Sequence, residues 1–250
     1  MEVHAHSSPA PGGAHTARKK WTHYLWEFIM LFLAVFCGFL AEYQLEHKIE
    51  KEREQVYIAS MIEDLKKDTA SLTFTIRQYE ELDMRSDTVL TLYPSLVKGY
   101  KDTIWRNLPG GFPDFIKSNI TMQQLIYAGG LRLIKKRKSL DGIIEYDLQY
   151  DDLNIDVNTL RGALSECLNS RQELLDLAAR EEDKKIMSAA DLNAGKKNYL
   201  LRTDHPFLGK YNNQIRLYKF LCKKVKSQEI KMRDQAVQLI QVLKKEYHLE

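Results

Sequence analysis

Four sets of side chains in this 250-residue chain have the types and spacing to do chemistry. Lys135, Lys136, Arg137 and Lys138 follow Arg132 closely, forming a cationic run able to hold an anionic ligand or meet an acidic partner. Asp147, Asp151, Asp152 and Asp156 recur at helical steps. In a dry cleft two such carboxylates would serve acid–base work, but on a helix the ordinary place for them is the solvated face. Cys167 and Cys222 fall on apolar stripes, at similar heights if their helices pack antiparallel. A disulfide between them is geometrically conceivable, beside the plainer reading of two small core side chains. Glu27 is the one ionisable group inside an apolar run, and intramembrane charge is a functional candidate by default. Two turns separate it from the basic end of that run, so its carboxylate can snorkel or meet Lys19, Lys20 or His23.

Other chemistry is missing. There is no Gly-x-Ser-x-Gly elbow, His-Glu-x-x-His pair or Gly-x-Gly-x-x-Gly loop, and Gly195-Lys196-Lys197 lacks the rest of a phosphate loop. His4, His6, His15 and His23 crowd the N-terminal stretch without the spacing of a dedicated metal site. Three cysteines with no Cys-x-x-Cys pair make neither a disulfide scaffold nor a zinc site. A net charge of +3, from 37 Lys and Arg against 34 Asp and Glu, is too small and too dispersed for a nucleic-acid binder. The expectation is a protein that is not an enzyme, with no catalytic residue, cofactor, metal or nucleic-acid partner.

The elements that would position these groups are helical. Apart from Pro9 and Pro11 near the start, proline is confined to Pro94, Pro109, Pro113 and Pro206, which leaves long stretches open to uninterrupted helix. Trp21 to Ala41 reads as a transmembrane helix of 21 residues, about 31 Å long, with Trp21, Tyr24 and Trp26 at one end. Glu42, Tyr43 and Gln44 after it do not form a small-residue cleavage site, so an uncleaved anchor is expected rather than a signal peptide. Arg18, Lys19 and Lys20 abut the span and favour a cytoplasmic N-terminus, with residues 1–20 a flexible tail.

Beyond the span, apolar residues recur at three- and four-residue steps. Ile58, Ile62, Leu65, Thr69, Leu72, Ile76 and Tyr79 make one seam. Ile143, Tyr146, Tyr150, Leu153, Val157, Leu160, Leu164, Cys167 and Leu174 make a second, opened by Ser139 as N-cap. Leu208, Tyr211, Ile215, Tyr218, Cys222, Val225, Met232, Ala236, Leu239 and Leu243 make a third. Each stripe must find a partner. The predicted fold class is all-α: the transmembrane helix continues into an elongated antiparallel bundle over 42–250, with long helices at about 42–92, 140–187 and 207–247 and a short one at about 119–128. Asp83 and Ser86 fall on the first seam and mark where it would loosen. With Arg171 and Glu229 on the other seams, they leave faces incompletely apolar and so open to a partner.

Thr121 to Ile134, TMQQLIYAGGLRLI, resembles the core motif of a family of uncharacterised single-pass membrane-anchored proteins of Bacteroidota, a domain of unknown function. The anchor with Glu27 near its start and the ending AVQLIQVLKKEYHLE, Ala236 to Glu250, resemble the same family. The sequence departs from the family pattern at Gly130, where members usually carry a polar residue such as Asn. The resemblance implies an inner-membrane protein of a Gram-negative envelope with its domain in the periplasm, and it implies no activity. The expected role is a structural or interaction module that contacts the lipid bilayer and either another envelope protein or a second copy. The rival is a ligand-sensing bundle signalling through an associated membrane protein.

Overall fold

The structure, a computed structural model, describes residues 17–98, 102–127, 129–188, 191 and 197–249. Most of the tail expected to be flexible lies outside these residues, and Ala17 to Lys20 are already helical. The described chain is all-α, with a single isolated bridge between Leu175 and Leu200 as its extended pairing. It forms two compact units that meet in sequence at Arg53 and Glu54.

The first unit is the start of helix α1, Ala17–Leu92. No proline interrupts it, and Phe28, Phe32 and Phe36 stack at i, i+4 spacing with ring centroids 6.4 and 5.9 Å apart. From Trp21 to Ile49 every side chain is exposed except Ile29, which is half-buried. Among the described residues α1 is the one helix long and apolar enough to cross a membrane.

The second unit packs residues 54–92 of α1 with two further long helices, α4 (Arg137–Leu174) and α6 (His205–Tyr247). Three short helices complete it: α2 (Asp102–Asn107), α3 (Ile120–Tyr127) and α5 (Leu177–Ile186). Two 3-10 turns lie at Tyr93–Lys98 and Gly130–Leu133. The three apolar seams are its core. Every residue of the third is buried, and only Thr69, Tyr150 and Leu164 of the other two remain half-exposed. α6 runs antiparallel to α4, since Ser139 bonds Glu246 while Lys224 pairs with Asp156 and Arg202 with Glu173. It also runs antiparallel to α1, as Glu54 meets Tyr247, Thr75 meets Glu229 and Asp87 meets Lys219.

α4, however, is parallel to α1. It begins beside Glu54 and passes Asp68 at Tyr146, so the chain between Leu92 and Arg137 must return along the bundle before α4 starts. Antiparallel packing thus holds for α6 against both other long helices, while α1 and α4 run in the same direction. The helix expected over 140–187 is also divided. α4 stops at Leu174, where Leu175 turns extended and the Asp176 backbone N–H donates to the Tyr199 carbonyl at 2.9 Å; the Asp176 carboxylate then caps α5 by accepting from Ala179 N–H. Ser139 is not an N-cap: α4 starts two residues earlier, with Lys136 in the cap position, and Ser139 is buried. α1 does not loosen at Asp83 or Ser86 but runs through both, with the Asp83 carboxylate beside Lys219 and Lys223 and the Ser86 hydroxyl satisfied by the Leu82 carbonyl at 2.8 Å. α6 has an N-terminus with Asp204 as cap and Pro206 in the first turn.

Candidate functional site

The returning segment is held by acids on α1. Glu54, Tyr57, Met61, Asp64 and Asp68 follow the same three-four rhythm as the core seam and lie beside it. Glu54, Asp64 and Asp68 are buried, which carboxylates tolerate only with partners. Asp68 accepts from the Ser118 backbone N–H at 2.7 Å and from the Tyr146 hydroxyl at 2.8 Å. Asp64 accepts from the Thr121 hydroxyl at 2.6 Å and its backbone N–H at 3.3 Å, so it serves the first turn of α3 from another helix. Glu54 accepts from the Lys135 backbone N–H at 2.9 Å and from the Tyr247 hydroxyl. Lys117 is buried between Asp147 and the face of Tyr150, 4.6 Å from the ring centroid. Thr121 and the turn after α3 therefore belong to a clasp that fixes residues 117–135 along α1.

Gly130 is part of that fit. A Cβ there would stand 3.1 Å from Leu125 Cδ2, 3.2 Å from Leu125 Cα and 3.3 Å from Tyr57 Cε2. One of those atoms is backbone and cannot swing away. Gly130→Asn is accordingly expected to destabilise the bundle by about 1–3 kcal/mol, the usual cost of overpacking, read as a lower midpoint in thermal unfolding. Gly129 before it ends α3 with φ +68°, the left-handed conformation that glycine accepts without strain.

The Pro-Gly-Gly loop after α2 is pinned by donors from all three long helices. Arg171 donates to the Pro109 carbonyl at 3.2 Å, Tyr218 to Gly111 at 2.6 Å and Tyr79 to Pro113 at 2.9 Å. Gly110, Gly111, Phe112 and Pro113 then form one wall of an open pocket of about 510 Å³, with Gln78, Glu81, Leu82 and Arg85 of α1 as the other. Trp105 of α2 has two guanidinium groups over its ring, that of Arg180 at 4.5 Å and that of Arg171 at 5.2 Å.

The residues singled out from sequence are distributed as follows. Arg132, Lys135, Arg137 and Lys138 are exposed at the end of the bundle where Glu54 lies, and Lys136 is half-buried with its ammonium 4.3 Å from the Tyr247 ring centroid. Glu27 is exposed and meets His23 at 3.2 Å, one turn away. The bridge considered for Cys167 and Cys222 is not formed: both are buried free thiols. Burial, with each other's proximity adding to it for Cys167, pushes both up to about 12, so they are inert core side chains. The four aspartates do not converge. Asp147 pairs with Lys117 and the buried Asp156 with Lys224 at 2.6 Å, while Asp151 and Asp152 are exposed. Among the described residues no three His, Cys, Asp or Glu side chains gather so as to hold a metal.

The polar seam positions expected to await a partner are used internally. Asp83 lies 3.3 Å from Lys219 and 3.4 Å from Lys223, and Arg171 holds the loop. Glu229 is wholly buried, accepting from the Thr75 hydroxyl at 2.6 Å through one oxygen, while the other has no hydrogen-bond partner. Burial drives its carboxyl up to about 7, against the smaller opposing pull of the Thr75 hydrogen bond. Sequence reasoning missed Asp64 and Asp68 altogether. Their signal was available in the spacing of acids along the flank of the first seam.

Compared with protein-family models, curated proteins and solved structures, the chain finds no match.

Proposed function

We propose that this chain is a single-span inner-membrane protein of a bacterial envelope, N-terminus in the cytoplasm and bundle in the periplasm, working as a structural or interaction module. The observation that carries the reading is a pair of apolar surfaces left outside any core. One is the run from Trp21 to Ala41 on α1, at 21 residues and about 31 Å long enough for a bilayer, and exposed along its length apart from the half-buried Ile29 among the described residues. The other is the outer face of α4, where Ile144, Leu148 and Ile155 are exposed opposite the buried seam. A helix whose outward face is only solvated would carry polar residues there. The resemblance of Thr121 to Ile134 to an anchored envelope family supports the same compartment and topology.

The test is made in cells. The full chain is expected to resist extraction by alkaline carbonate, to retain its N-terminal peptide in the mature product, and to become protease-sensitive only when the outer membrane is opened. Replacing Ile144 and Leu148 by Ser is expected to remove crosslinked species without lowering the melting point. Loss of the N-terminal peptide would overturn the anchor, and crosslinks unchanged by the substitutions would overturn the outer α4 face as the contact. A ligand-sensing role is the second reading, favoured by the pocket under the Pro-Gly-Gly loop. It predicts that cell extract raises the melting point of the protein.

A further inference from the structure

The end of the bundle at which the chain arrives from the apolar run carries cations and exposed apolar side chains together. Glu54, the first residue of the second unit, is bonded to Lys135 N–H and to Tyr247, which places the α3–α4 turn and the end of α6 around it. Exposed there are Arg132, Lys135, Arg137 and Lys138 from the turn, and Lys245 from the last turn of α6. Of the nearby acids, Glu54 and Glu246 face inward, to the Lys135 N–H and Tyr247 and to Ser139, and Asp141 offsets part of the charge of Arg137 at 3.4 Å, so cations remain in excess on the outer surface. Beside the cations, Ile126 and Tyr127 at the end of α3 stand out, Tyr127 at 85% exposure. Solubility alone gives no reason to hold a tyrosine so far out. Nor is the segment loosely held, since Asp64 and Glu54 fasten it at both ends.

We propose that this surface docks on the anionic headgroups of the membrane in which the chain is anchored, with Tyr127 and Ile126 entering the interface and Arg132, Lys135, Arg137, Lys138 and Lys245 meeting phosphate. The inference rests on the anchored reading above. Two arguments select lipid over a soluble polyanion. Clustered cations flanked by an exposed aromatic and an aliphatic side chain match the layered chemistry of a bilayer surface, charge outside and hydrocarbon within. In addition, only twelve residues of α1 separate Ala41 from Glu54, so this end of the second unit is the part the chain reaches first after the span. Electrostatic attraction decays within about 8–10 Å at physiological salt, so contact rather than nearness is what the charges gain from.

The test uses the full chain in lipid nanodiscs, either zwitterionic phosphatidylcholine or the same lipid with phosphatidylglycerol, with lysine acetylation rates read by mass spectrometry. Lys138 and Lys245 are expected to react about threefold or more slowly in the anionic discs, and the protection is expected to vanish in about 0.5 M salt. Lys210 and Lys231, exposed elsewhere on α6, keep one rate throughout. The triple reversal R132E/K135E/R137E is expected to abolish protection of Lys138 and Lys245, while the salt series on the parent protein gives the same answer if that variant folds poorly. Equal rates in both lipids, with the chain still co-purifying with discs, overturn the docking and leave the anchor standing. A chain that fails to enter discs overturns both. Protection by inorganic polyphosphate in zwitterionic discs equal to that by anionic lipid overturns the choice of lipid in favour of a soluble anion.

Discussion

Glu229→Gln is expected to raise the stability of the bundle at pH 8 and to leave it unchanged at pH 4. The carboxyl sits in the α1–α6 seam with no exposure, and one of its oxygens has no donor. Burial moves it from 4.5 to about 7 in the folded chain. Between those values the folded state holds a proton that the unfolded state has released, so stability falls as pH rises from about 4.5 to about 7 and is flat on either side. At pH 8 the folded protein therefore carries a buried carboxylate at a cost of up to about 3 kcal/mol, the free energy of a shift of this size. Glutamine keeps an oxygen for the Thr75 hydroxyl and removes the charge. Asp68 leans the same way, raised by burial against the hydrogen bonds from Ser118 and Tyr146, and contributes to the slope that remains in the variant. Thermal unfolding of parent and variant across pH 4 to 8 checks this. Parallel curves at every pH would mean that Glu229 titrates alike in both states.

The features read correctly from sequence are those set by apolar periodicity. Leu65, Leu72, Leu153, Leu160, Ile215 and Val225 are buried where the three-four rhythm puts them, because a helix has few ways to hide a single stripe. The α4–α5 break was illegible for a local reason: Leu174 and Leu175 continue an apolar pattern, while the bond that stops the helix comes from Tyr199, more than twenty residues away. The direction of α4 was illegible for a topological one. Periodicity says which face is buried but not which way the chain runs, and that depends on whether residues 93–136 cross the bundle's end or travel its length. Buried carboxylates decide the matter, and charged residues on a helix flank are ordinarily read as solvated. The basic run was visible as composition, yet its company, Tyr127 on one side and Lys245 on the other, exists only once α3 and α6 end beside Glu54.

That dependence on α1's acids gives the second large effect. Asp68→Ala is expected to destabilise the bundle by about 3 kcal/mol and to free residues 115–127 before the rest unfolds. Two donors lose their acceptor at once, the Ser118 backbone N–H and the hydroxyl of Tyr146, which is only 3% exposed. An unsatisfied buried donor costs about 1–3 kcal/mol, and here water reaches Ser118 more readily than Tyr146. Tyr146→Phe removes one of the two donors and leaves Asp68 bonded to Ser118, so it is expected to cost less than half as much. The order of opening separates a clasp from an ordinary core contact. In Asp68→Ala, hydrogen exchange at the α3 amides is expected to accelerate well above that of α6, whereas deleting a seam residue such as Leu65 accelerates both together. Were α3 to exchange no faster than α6 in Asp68→Ala, the segment would be held by its apolar contacts at Met122 and Leu125, and the carboxylates would be passengers on a helix already in place.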